Sequence, residues 1–171
     1  LKGGKLLNEK SGEPFAIEYL DYSDINQRFV LPYAQSLEKI GITVNYRVVD
    51  SSAYQERVRK FDYDMVMHAW GQSLSPGNEQ RNQWGSAAAD REGSENLAGI
   101  KNAAIDKLID KVIFAADRET LIAATHALDR VLLANHFVIP QWFSKFDRYV
   151  YWNRFGRPAK MPKFDFGFPT V

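Results

Sequence analysis

Between Phe15 and Asp50 an alternating stretch, an amphipathic helical stretch and a second alternating stretch follow one another. This order constrains the fold more than any other feature of the chain. Phe15, Ile17 and Tyr19 alternate with Ala16, Glu18 and Leu20 up to Asp21, the period of a strand. Ser23 or Asp24 can cap a helix over about 24–40, with Ile25, Phe29, Tyr33, Leu37 and Ile40 at helical spacing. Pro32 should kink this helix or mark its true start, and Gly41 suits its end. Ile42–Asp50 alternates again and is β-branched, a second strand. Two strands joined by a helix are parallel, with a right-handed crossover. Ser52-Ala53-Tyr54-Gln55 has capping-box spacing and opens a short helix to about Lys60. Asp64–Trp70 (DMVMHAW) predicts a third strand, apolar enough to be central.

After Trp70 the pattern breaks. Residues 71–99 are rich in Gly, Ser, Asn and Gln, with a short helix expected over Asn78–Trp84. A loop of this length inside a compact domain is uncommon and usually functional or mobile. A helix over Asn102–Ala115 stripes Ile105, Leu108, Ile109, Val112 and Ile113. Asp117 caps another to about Ala134, with Leu121, Ile122, Thr125, Leu128 and Leu132 facing inward. Phe137–Phe143 and Arg148–Trp152 read as extended, the former near a sheet edge because of Pro140. Residues 1–13 form a polar lead-in, and the last fifteen residues from Arg157 carry three prolines and no period. The expected fold is therefore α/β, a mixed sheet flanked by helices. Residues 1–147 form the domain and 148–171 an extended segment whose packing partner lies elsewhere. At 171 residues the chain can hold a core without staples.

Composition excludes several functions. Lys+Arg is 22 and Asp+Glu is 21, a net charge of +1, which makes no electrostatic case for nucleic acid or an anionic membrane. No apolar run approaches the ~18 residues of a membrane span. There is no cysteine, hence no disulfide, thiol nucleophile or thiolate metal site. His68, His126 and His136 lack metal-ligand spacing and read as packed or surface histidines. No nucleophile elbow, phosphate loop or dinucleotide fingerprint occurs. Asp62 and Asp64 read as a turn before a strand; Asp106 and Asp110, interleaved with Lys107 and Lys111, as a solvated helix face. The expectation is a chain without catalytic residues, metal or cofactor. It opens at Leu1 with no signal pattern, so it is expected to begin inside a longer product or after processing.

The segment after Trp70 is the best candidate for a site, because α/β folds bind ligands beyond the carboxyl ends of their strands. Trp70, Gln72, Ser73, Arg81 and Trp84 are its expected ligand-facing residues. Amides and hydroxyls beside indoles suit a polar small molecule, and Arg81 could grip a carboxylate in a bidentate fork. The aromatics from His136 to Phe155 could form a binding wall, or core and inter-domain packing.

The runs FDYDMVMHAWGQSLSPGNEQRNQWGSAAADREGSENLAGIKNAAIDKLID and IPQWFSKFDRYVYWNRFGRP resemble the family-5 extracellular solute-binding proteins of oligopeptide and dipeptide ABC importers, in particular the YejA-type branch. The resemblance implies one lobe of a two-lobed protein considerably longer than this chain. It implies a monomer, exported to the periplasm, that closes on a peptide or peptide-like solute and delivers it to membrane permease subunits. A missing first lobe would then receive the extended ends. A protein-interaction or sensory lobe of the same fold is the alternative. Peptide-binding members resembling this chain have an aspartate three residues after the strand tryptophan, which pairs with the ligand's α-amine. Ser73 stands there instead, and the following proline is one residue closer, at Pro76. A hydroxyl cannot supply the charge-assisted bond that an ammonium takes from a carboxylate.

Overall fold

The computed structural model describes residues 3–144 together with 148, 150, 152 and 154. The chain divides into two units, Leu1–Val138 and Ile139–Val171. The first contains every strand and helix of the described residues, in the order β1 (Ala16–Asp21), α1 (Gln27–Glu38), β2 (Thr43–Val48), α2 (Ser51–Arg59), β3 (Met65–Val66), α3 (Glu79–Trp84), α4 (Ala103–Ile113) and α5 (Arg118–Ala134). The sheet runs β2-β1-β3, and both pairings are parallel. The fold is α/β, as the βαβ pattern requires.

Local chemistry accounts for the first half. Ser23 caps a 3₁₀ turn, its hydroxyl accepting from Ile25 N at 3.4 Å, and this turn leads into α1. Pro32 sits inside α1 without ending it. Gly41 takes φ +85°, a left-handed conformation open to glycine at little cost, and the Ile42 N–H closes onto Leu37 O at 3.1 Å. Asp21 is buried at the carboxyl end of β1. Its carboxylate accepts from Tyr22 N (2.7 Å), Ser23 N (3.2 Å), Asn26 Nδ2 (3.1 Å) and the Tyr46 hydroxyl (3.0 Å). Those bonds satisfy a buried charge and fix the chain's exit from the central strand. Burial and the Asp21 charge together push the Tyr19 hydroxyl up to about 12.

Several expectations are corrected. The third strand is two residues long and lies at an edge; β1 is central. Beyond Val66 the backbone leaves the sheet. Met67 O accepts from the Tyr54 hydroxyl at 3.2 Å, and Trp70 turns toward the helices. The helix after β2 is capped by Asp50, whose carboxylate accepts from Ser52 N and Ala53 N at 3.0 Å each, and not by a box beginning at Ser52. A carboxylate two residues earlier is the better acceptor for those N–H groups. The described strands are all parallel, so the mixed sheet is not seen among them. Residues 137–143 form no strand. The extended segment expected over 148–171 lies outside the described residues, apart from Arg148, Val150, Trp152 and Arg154.

Two apolar cores hold the first unit. Tyr19, Leu20, Val30 and Ala34 pack α1 on the sheet. A second core joins Trp84, Ile100, Ile105, Ile109, Val112, Ala124 and Leu128. The stripe expected on α4 supplies three of these, Ile105, Ile109 and Val112. Of the α5 positions expected to face inward, only Leu128 is buried, whereas Ile122 is 42 % exposed. That partial failure of burial marks the site.

Candidate functional site

The segment from Trp70 to Trp84 is tied down at both ends by named side chains. Trp70 donates from Nε1 to Glu95 O at 3.1 Å, and its ring lies 4.9 Å from that of Trp84 and 4.7 Å from that of His68. Burial disfavours the charged form of His68 and lowers its pKa, against a smaller opposing pull from Glu95. Trp84 belongs to the helical core, so the indole pair fastens the loop's entry to that core.

Three glutamines then set the loop's course. Gln80 and Gln83 are buried on α3. Gln80 Nε2 donates to Gln72 Oε1 at 2.7 Å, Gln72 Nε2 donates to Gln83 Oε1 at 2.6 Å, and Gln83 Nε2 reaches Gly71 O at 3.5 Å. Buried amides have to be paired, and here they pair with the loop. Glu79 accepts from Gly77 N at 2.7 Å. Burial works against its charge, yet this bond, its own N–H and the Gln80 amide hold its carboxyl below the usual range. At the other side Arg118, the first residue of α5, donates from Nη1 to Leu74 O at 2.8 Å and to Ser75 Oγ at 3.5 Å. Residues 72–76 thus form a strap between α3 and α5.

A pocket of about 410 Å³ lies under this strap. That is the size of a small-molecule site. Trp84, Val112 and Leu128 contribute apolar wall from the core, and Leu121, Ile122 and Leu132 contribute it from α5. Polar groups stand at its edges: Gln72, Ser73 and Gln80 on the strap side, and Arg118, Thr125, His126 and Asp129 on α5.

Of the five residues expected from sequence, Gln72, Ser73 and Trp84 line this pocket. Trp70 stacks against Trp84 and is not among its lining residues. Arg81 does not line it either. Its Nη2 donates to Asp110 Oδ1 at 2.8 Å, and its guanidinium lies 5.6 Å from the Phe114 ring centre. Sequence reasoning missed the contribution of α5 altogether. No signal in the spacing could have found it, because Ile122 and Thr125 keep the helical period of a buried stripe. Among the described residues no group of three or more His, Asp and Glu side chains could hold a metal ion, and no helix is long and apolar enough to cross a membrane.

The described residues thus form a parallel α/β unit with an apolar pocket whose edges carry amide, hydroxyl and ionisable side chains. The chain belongs to the bacterial extracellular solute-binding proteins, family 5, whose middle-region model matches residues 1–92. It is 50 % identical over 171 residues to the probable peptide-binding protein YejA of Agrobacterium fabrum, covering 100 % of this chain and 28 % of that protein. It is 37 % identical over 162 residues to the peptidoglycan-binding protein YepA of the same organism, covering 95 % of this chain and 26 % of that protein. The oligopeptide-binding protein AppA of Bacillus subtilis, solved with a nonapeptide, shares the fold with a TM-score of 0.68 and 22 % identity, over 80 % of this chain and 27 % of that one. The chain therefore spans about a quarter of the length of the curated relatives it matches, at 28 % and 26 %. The names of these relatives are those of binding proteins.

Proposed function

We propose that the chain is most of one lobe of a two-lobed, periplasmic solute-binding protein, and that its parent carries a peptide or peptide-like ligand to the permease of an ABC importer. The observation that supports this reading best is the pocket beneath residues 72–76, with apolar walls and edges of amide, hydroxyl and a few ionisable groups. Such a surface takes peptide side chains and backbone without performing chemistry on them. The relatives' names point the same way, one to peptides and one to peptidoglycan. Cell-wall peptides are accordingly included among the candidate ligands.

Gln72, Ser73 and Trp84 are proposed as the lobe's ligand-facing set, with Trp70 acting through Trp84 and Arg81 held outside the pocket by Asp110. A monomer closing as a hinge would bring the missing lobe over this surface. Ser73 cannot hold an α-amine as a carboxylate would, so the ligand's amine is held by another group or is blocked. Calorimetry of the full-length protein against di- to pentapeptides and cell-wall peptides tests the reading. Micromolar or tighter binding to at least one class is expected, and binding to none refutes it.

A further inference from the structure

We propose that Arg118 reads a carboxylate at the mouth of this pocket, and that the ligand therefore presents an anionic group next to an apolar one. This rests on the solute-binding reading above and deepens it. The starting point is where the cations stand. Arg81, the expected carboxylate fork, already pairs with Asp110. Arg57, Arg59 and Lys101 are likewise paired with Glu or Asp. Arg118 is exposed, lines the pocket and enters no ion pair among the described residues.

No acidic group forms an ion pair with it among the described residues. Of its two exposed acidic neighbours, Asp117 caps α5 by accepting from the Thr120 N–H at 2.7 Å, and Glu119 lies in the first turn of α5. Asp129, on the same pocket, lies eleven positions along the helix, about 16 Å away along the axis. That exceeds a Debye length of about 8 Å at physiological salt. The glutamines of the strap are neutral, bonded to one another, and cannot select a charge.

Arg118 is also preorganised. One terminal nitrogen, Nη1, holds Leu74 O, while Nη2 and Nε make no hydrogen bond among the described residues. A guanidinium fixed through one nitrogen keeps a planar edge for a carboxylate and loses less side-chain freedom on binding. Beside it, Leu74, Leu121 and Ile122 offer apolar surface within the same pocket. The chemistry that fits both is an apolar residue carrying its own terminal carboxylate.

The test is calorimetry of the full-length protein with Ala-Ala-Leu as the free acid and as the C-terminal amide, on wild type, R118Q, R118K and R81Q. Wild type should prefer the acid by on the order of tenfold or more, the worth of a charge-assisted bond. R118Q should bind acid and amide alike, R118K should keep part of the preference, and R81Q should keep all of it. Loss of the Leu74 contact alone lowers both affinities and leaves their ratio unchanged, so the ratio separates ligand reading from a purely structural role. Full acid preference in R118Q overturns the assignment. So does equal binding of acid and amide by wild type, which leaves the peptide reading standing. Failure of wild type to bind either form also overturns the assignment, whereas the peptide reading falls only if the di- to pentapeptides and cell-wall peptides all fail as well.

Discussion

Replacing Asn96 with alanine should remove about 2–4 kcal/mol of stability, because one fully buried amide closes the loop that carries the site. Asn96 Nδ2 donates to Gly85 O and to Ile100 O at 3.0 Å each, and Oδ1 accepts from Ile100 N at 2.9 Å. Gly85 follows α3 and Ile100 precedes α4, so the side chain fixes the spacing of two elements around the helical core. Alanine leaves Ile100 O and Ile100 N buried without that partner, at ~1–3 kcal/mol each, while Gly85 O keeps its bond from Ala88 N at 3.0 Å. The carbonyl relaxes more readily than the N–H, which places the sum toward the lower end. Against a total of about 5–15 kcal/mol this is a large fraction. Urea unfolding followed by tryptophan fluorescence reads it, since Trp84 adjoins Gly85 in the chain. Asn96→Asp sharpens the test. It keeps the acceptor for Ile100 N but turns a second oxygen on two carbonyls, so the folded state favours the protonated acid. The folded pKa then exceeds the unfolded value of ~3.9, and the variant's stability falls as pH rises above that value. A loss below ~1 kcal/mol for alanine, or wild-type stability of the aspartate variant at pH 7, refutes this account of the loop.

Two further outcomes follow from close contacts. Gly85→Ala should cost about 1–3 kcal/mol, read as a fall in melting temperature, because the new Cβ would stand 2.6 Å from Arg81 O, a backbone atom held by its own bond to Gly85 N. A variant melting with wild type would show that α3 shifts freely. Glu18 is held below its usual pKa, first by its hydrogen bond to Arg57, against the opposing effect of burial. Its contribution is therefore fully present above the unfolded value of ~4.3 and is lost as pH falls through the lower folded value. Arg57→Met should flatten this acid limb of the urea midpoint, and an unchanged acid limb would assign it to other carboxylates.

The βαβ unit was legible because its apolar period changes from two to helical and back, and that change has one architectural solution. What escaped were features set by long-range contacts. β3 looked central from its apolar run, yet only Tyr19 and Leu20 pair with it, and Trp70 is drawn out of the sheet by Glu95 and Trp84. Asp21 carried no signal at all. Its four partners come from the turn that follows and from Tyr46, on β2, and only the folded chain assembles them.

The site divides along the same line. A polar loop beyond a strand is visible in composition, and Gln72, Ser73 and Trp84 came from it. The opposite wall was hidden because pocket-lining and core residues of a helix have the same spacing. Leu121, Ile122 and Thr125 follow the period of a buried stripe whether protein or ligand covers them. Charge carries more information than period in such a case. An arginine in the loop invites a functional reading, but Arg81 is neutralised by Asp110 across two helices, whereas Arg118, at a helix start where sequence suggests nothing, enters no ion pair among the described residues and lies beside the pocket. Neutral Ser73 and cationic Arg118 together shift the electrostatic preference of this face from a ligand's amine toward its acid. That inversion, more than the loop's composition, is what distinguishes this lobe from one built around an aspartate anchor.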